Sequence, residues 1–186
     1  MGTGIVDHLK QEFDIEDIWI PHELHPETPA QGVPTIDRFS QFDIDQAVLT
    51  CNQRGEPYGL TFGDMTVLRN SRLSLEAAEF AREHGVYHAF HHAVFRAYFT
   101  EGKDIGATDI LLDVGESCGL DRAALNTALA DHQFAEKVAM GSQAARDAGV
   151  TALPTFIIND MPPMTGAISE TRFRTALQSA TDSGKS

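Results

Sequence analysis

Cysteine is scarce: Cys51 and Cys118 are the only two in 186 residues, and neither belongs to a C-x-x-C or a zinc-ligand spacing. A disulfide-stapled scaffold and a zinc module are excluded, and both residues read as isolated thiols. Positive charge is also scarce, with 14 Lys and Arg against 27 Asp and Glu, a formal charge of −13. Such a surface suits neither phosphate backbones nor anionic lipid, so nucleic acid and membranes are not expected partners. No window approaches the about 18 consecutive apolar residues of a membrane span. The first residues, Met1-Gly2-Thr3-Gly4-Ile5-Val6-Asp7, lack the basic region and apolar stretch of a signal peptide. Val6 stands where a myristoylation motif needs Ser or Thr. The expected location is therefore cytoplasmic. Internal repeats and low-complexity tracts are absent as well.

Apolar material is plentiful. Hydrophobic residues make up 42% of the chain, including 11 Phe. That excludes disorder and a fibrous repeat, and fits one domain or one domain with a sizeable insertion. Residues 2–13 read as an amphipathic helix with Ile5, Val6, Leu9 and Phe13 on one stripe. Residues 14–20 hold Ile15, Ile18, Trp19 and Ile20, a short strand stopped by Pro21. A proline-rich loop follows through Pro34. From about Asp37 to Ser142 the pattern is helical, with no strand signal. Apolar residues recur at Ile36, Phe39, Phe42, Ile44, Ala47 and Val48, then at Leu73, Ala77, Phe80 and Ala81 up to Gly85. A third stripe, Tyr87, Phe90, Val94, Phe95 and Tyr98, ends at Gly102. Thr108 and Asp121 are placed to cap two further helices, and a last one spans 132–149. The final quarter changes period. Residues 155–158 read as a strand, 159–163 as a turn, and 164–167 as its return. Ser169 then caps a helix with Phe173 and Leu177, and residues 181–186 form a polar tail. A strand near the start is expected to share a sheet with this hairpin, across a helical insertion.

One segment is specific. Gly149-Val150-Thr151-Ala152-Leu153-Pro154-Thr155-Phe156-Ile157-Ile158-Asn159 resembles the G-V-x-x-V-P-T-F-x-I-x loop and strand of the thioredoxin superfamily in its DsbA-like branch. Trp19-Ile20-Pro21-His22-Glu23-Leu24-His25-Pro26 resembles the W-x-P-F-E-L-x-P strand end of its FrnE-like and 2-hydroxychromene-2-carboxylate isomerase members. Asn70-Ser71 opening a helix and Ala93-Val94-Phe95-Arg96-Ala97-Tyr98-Phe99 closing another are similar to that subgroup's insertion. The resemblance implies an α/β fold: a thioredoxin-like part over residues 1–36 and 143–186, and a helical insertion domain over 37–142. It implies a cis bond at Pro154 and a substrate-binding loop of Leu153, Pro154 and Thr155. It further implies thiol–disulfide exchange on a protein or glutathione disulfide.

The departure from that pattern matters as much. Family members carry C-x-x-C, or a Ser variant in the isomerases, at the start of the first helix, where the helix N-terminus lowers a thiol pKa. Here the chain starts at residues similar to those just after that motif, and the first, central strand is absent. Unpaired strand edges cost about 1–3 kcal/mol per buried group. The expectation is therefore that Met1 is not the native start, or that the chain is truncated, with a C-x-x-C upstream. The alternative is a short form whose edges close on each other or accept a strand from a second chain. No catalytic residue is assigned within the chain, no metal site, and no cofactor other than glutathione in the isomerase reading. A glutathione-dependent isomerase with an upstream Ser is the second reading. The third is a non-catalytic binding module that captures an extended segment by β-augmentation, and a homodimer is compatible with it.

Other clusters have plainer explanations. His88 and His92 are i, i+4 on one helix, a metal-ligand spacing, and His84 and His91 lie nearby. Gly85 cuts His84 from that helix and Ala89 stands where an H-E-x-x-H glutamate would be, so a solvated face or ordinary packing is expected. Glu12, Asp14, Glu16, Asp17, Asp43 and Asp45 read as acidic surface. Trp19 reads as packing, and Gly2-Thr3-Gly4 lacks the preceding strand and following Lys of a nucleotide loop.

Overall fold

A computed structural model of the chain describes residues 2–166 and 168–183. The chain opens with helix α1 (Gly2–Leu9), whose Ile5, Val6 and Leu9 are buried. The helix is shorter than its apolar stripe, because the chain turns at Lys10–Glu12, where Phe13 N–H still reaches the Leu9 carbonyl at 2.9 Å. Two-residue strands β1 (Val33–Pro34) and β2 (Val67–Leu68) pair antiparallel. Helix α2 (Gln41–Gly55) lies between them, and a 3₁₀ turn, Glu56–Tyr58, follows it. The helical block is α3 (Arg72–Glu83), α4 (Tyr87–Phe95) with a π turn Arg96–Thr100, α5 (Thr108–Ser117), α6 (Arg122–Ala130) and α7 (Ala135–Asp147). Strands β3 (Thr155–Phe156) and β4 (Met164–Thr165) form a hairpin, and α8 (Glu170–Ser183) closes the described chain.

The helix boundaries follow from local chemistry. Asp121 caps α6 by accepting from Ala124 N–H at 2.7 Å, and Ser169 accepts from Arg172 N–H at 3.3 Å at the start of α8. Asn70 caps α3 by accepting from Arg72 N–H at 2.9 Å. Gly85, Gly102, Gly119 and Gly149 all take positive φ just past a helix, where a side chain would be strained. Thr108 is the first residue of α5 rather than its cap, since the chain enters from Ala107 with no side-chain bond.

Two hydrophobic clusters result. The larger gathers Ala77, Phe80, Phe90, Val94, Leu111, Leu125, Leu129 and Phe134 around α3. The smaller joins Ile5, Val6 and Leu9 of α1 to Ile168 and Phe173, with Ile15, Tyr58, Phe156, Ile158 and Met164 packed on it.

Several expectations need correction. Residues 14–20 are extended but form no strand: exposure alternates strictly from Phe13 to Ile20, yet no ladder bond is made among the described residues. The segment therefore meets the β3–β4 hairpin through side chains, with Ile15 in the cluster of Phe156 and Ile158, rather than in one sheet. The hairpin is shorter than its apolar run, and Ala167 lies outside the described residues. Residues 37–142 do contain a strand, β2, invisible because two residues carry no period. The 36–48 stripe is not core; Ile36, Phe39 and Phe42 stand in solvent. The last helix of the block starts at Ala135, because His132 takes a positive φ. Residues 181–183 continue α8, and the rest of the tail, 184–186, lies outside the described residues.

Candidate active site

The first turn of α1 is wedged between two loops. A Cβ on Gly2 would lie 2.7 Å from Phe156 Cζ and 3.4 Å from Pro154 Cγ; one on Gly4 would lie 2.9 Å from Tyr58 Cβ. Only glycine allows this approach. The first N–H groups of a helix have no intrahelical acceptor and carry the positive end of its dipole, so a polar, electropositive terminus faces the Pro154 loop.

The loop itself is held from behind. The Leu153–Pro154 bond is cis. Pro154 accepts from Gly166 N–H at 2.7 Å, Thr155 Oγ1 donates to the Ala152 carbonyl at 2.7 Å, and the Phe156 ring meets Phe173 edge-on at 5.0 Å. Leu153 is 49% exposed, and its N–H and C=O have no backbone partner among the described residues. Of the three expected substrate-loop residues, Pro154 is brought beside the α1 terminus, with Leu153 and Thr155 next to it in the chain.

Tyr58 and its neighbours form the other wall, and sequence reasoning passed them over. Tyr58 OH donates to Glu170 Oε2 at 2.7 Å, His8 Nδ1 lies 2.9 Å from the same oxygen, and Arg174 donates to Glu170 Oε1 at 2.8 Å. Hydrogen bonds from His8 and then Tyr58 hold the Glu170 carboxyl at about 2, and burial pushes the Tyr58 phenol up to about 12. This network ties the chain after α2 to α1 and α8. The available signal was the breaker pattern Gly55-Glu56-Pro57-Tyr58-Gly59, whose Gly59 adopts φ +66°.

The W-x-P motif region is fixed by polar anchors. Glu23 N–H donates to Ser142 Oγ at 2.9 Å, its buried carboxylate accepts from Arg72 Nε at 2.8 Å, and a Cβ on Gly141 would meet the Pro21 carbonyl at 2.6 Å. His22 replaces the motif's Phe. Both its ring nitrogens are buried without a hydrogen-bond partner among the described residues, and that burial lowers its pKa.

Neither cysteine reaches this site: Cys51 is on α2 and Cys118 caps the end of α5. The histidines do not converge either. His88 and His92 point separately to Asp17 (3.9 Å) and Asp7 (3.4 Å), while His91 packs on Trp19 and Phe95, with ring centroids 4.3 and 4.0 Å away. Among the described residues no three His, Cys, Asp or Glu could hold a metal. The surface acids have their own partners: Glu12 pairs with Arg174, Asp17 with Lys10 and Trp19, Asp43 with Ser40, and Asp45 with Gln41.

A helix N-terminus opposed to a proline loop, backed by a hairpin and terminal helix and interrupted by a helical block, defines an α/β thioredoxin-like protein with a helical insertion. The model of the DSBA-like thioredoxin domain matches residues 3–178, and the chain belongs to that family. The Bacillus subtilis protein YwbO is 32% identical over 164 residues, spanning 86% of this chain and 80% of its own. Among solved structures, the probable DsbA oxidoreductase SCO1869 from Streptomyces coelicolor superposes with a TM-score of 0.87 at 21% identity, over 97% of this chain and 83% of that one. A 2-hydroxychromene-2-carboxylate isomerase gives 0.75 at 19% identity, over 96% and 86%.

Proposed function

We propose that this protein is a thiol–disulfide oxidoreductase that docks a protein or glutathione disulfide on Leu153, Pro154 and Thr155, in the cytoplasm. The observation that carries the reading is the open backbone of Leu153, next in the chain to the Pro154 that packs at the α1 terminus. A thiol placed ahead of Gly2 would sit at the electropositive end of α1, which favours its thiolate. Attack by that thiolate on the docked disulfide forms a mixed disulfide and releases the second sulfur as a thiolate. The 186 residues contain no C-x-x-C, so the required pair belongs ahead of Gly2. A Ser there would favour the glutathione-dependent isomerase reading instead.

Intact mass and N-terminal sequencing of the protein from its native source test the assignment. Residues ahead of Gly2 that carry a cysteine pair support it; a Ser in that place, or a native protein beginning at Met1, overturns it. Insulin reduction by the 186-residue chain itself is expected to stay at the uncatalysed rate. Turnover there would show that Cys51 or Cys118 does the chemistry.

A further inference from the structure

Helix α2 belongs to neither core. Of its 15 residues only Gly55 is buried, and Phe42 is 70% exposed. Between α2 and residues 64–66 runs an open groove of about 620 Å³, with Ile44, Val48, Leu49 and Met65 along it. Its floor carries Thr35, a residue only 3% exposed whose hydroxyl finds no hydrogen-bond partner among the described residues. An apolar channel bordered by carboxylates suits an occupant that brings apolar surface and positive charge.

Charge and backbone chemistry narrow the occupant. Asp45 and Asp64 line the groove and, among the described residues, no Lys, Arg or His does. A second copy of a chain of charge −13 would bring like charge to it. The groove follows α2 from Gln41 to Asn52, which at 1.5 Å per residue is roughly 16 Å, or three helical turns. Helix α2 satisfies its own backbone and offers no strand edge, and the Thr66 carbonyl is already taken by Thr35 N–H at 2.9 Å. Along the three turns of α2 an occupant gains side-chain packing and no backbone ladder, which suits a segment that satisfies its own backbone as a helix.

We propose that this groove docks a basic amphipathic helix of a partner protein, its apolar stripe on Val48, Leu49 and Met65 and its Lys or Arg side chains beside Asp45 and Asp64. This surface is separate from the Pro154 loop, and the proposal stands or falls independently of the disulfide reading.

The test uses a labelled model peptide of leucine and lysine written in helical period, with a leucine–glutamate counterpart, and fluorescence anisotropy on the full chain. Leu49→Lys, and Asp45→Asn combined with Asp64→Asn, are each expected to weaken binding of the lysine peptide about tenfold or more. Asp109→Asn with Asp131→Asn removes the same charge from the far helices and is expected to change it less than about twofold. All substituted residues are exposed, and circular dichroism verifies that each variant folds. The proposal is overturned by any of four results: no binding, equal binding of the glutamate peptide, wild-type affinity in Leu49→Lys, or an equal loss in the remote pair. A homodimer in sedimentation that Leu49→Lys dissolves would also overturn it, and assign the groove to a second copy.

Discussion

The helical block and the thioredoxin-like part bury their apolar residues to different ends. Around α3 the block closes on itself: Phe90, Leu111 and Leu125 have no exposed surface, and even the carboxylate of Glu76 is enclosed, with His132 its one side-chain partner among the described residues, at 3.3 Å. The other part has a five-residue core and leaves Ile18, Ile20, Leu153 and Ile157 at least half in water or close to it. The block is a scaffold that holds α3 and α7 where Glu23 and Pro21 need them. The thioredoxin-like part leaves apolar side chains in water and, among the described residues, the Leu153 peptide groups without a backbone partner, as the docking role proposed above requires.

Truncating a core side chain in each part tests that contrast. Phe90→Ala removes a fully enclosed ring and is expected to cost about 3–5 kcal/mol, whereas Leu9→Ala, in a smaller cluster free to collapse, costs nearer about 2–3 kcal/mol. Denaturant unfolding of the two variants measures both. Equal losses, or a larger loss at Leu9, would break the comparison.

The seam between the two parts is expected to respond to pH. His91 of α4 packs on Trp19 of the extended segment, and burial, reinforced by the positive charge of His92, His88 and Arg82, pushes its pKa down from 6.5 to about 4. Between those values the unfolded chain binds a proton that the folded ring refuses, so stability falls as pH falls from about 6.5 towards 4. The loss attributable to this ring is on the order of 1–3 kcal/mol. His91→Phe keeps an aromatic ring against Trp19 and is expected to flatten the slope in that window, read from unfolding midpoints at pH 7, 5.5 and about 4.5. An unchanged slope would mean the seam is wet.

The parts differ also in how far they could be read in advance. The block was legible because long amphipathic stripes repeat and each ends at a glycine: Gly85, Gly102 and Gly119 all sit where the pattern breaks. The Pro154 loop was legible through a specific run of residues, and Pro154 packs against the first turn of α1. The Tyr58–Glu170–His8 wall was not, because Glu170 is joined to residues more than a hundred positions away, Tyr58 and His8, and no local period records such a pairing. Nor was the exposure of α2, since Phe39, Phe42 and Ile44 alternate as a buried face would. Periodicity reports that a side is apolar, not that anything covers it.

The smallest expected effect lies on the extended segment itself. Phe13, Ile15, Asp17 and Trp19 turn inward, while Asp14, Glu16, Ile18 and Ile20 turn to solvent, with Ile18 76% exposed. A lysine at position 18 would share a face with Asp14 and Glu16, so Ile18→Lys gives up little buried area and gains opposite charge two residues away. The change in stability is expected to stay within about 0.5 kcal/mol, typical of surface substitutions without a partner. Amide exchange along residues 14–20 should be fast and equal in both proteins, because the N–H groups there have no hydrogen-bond acceptor among the described residues. A loss above about 2 kcal/mol, or protected amides that the lysine releases, would mean that something covers this edge in solution. The thioredoxin-like part would then be as closed as the helical block.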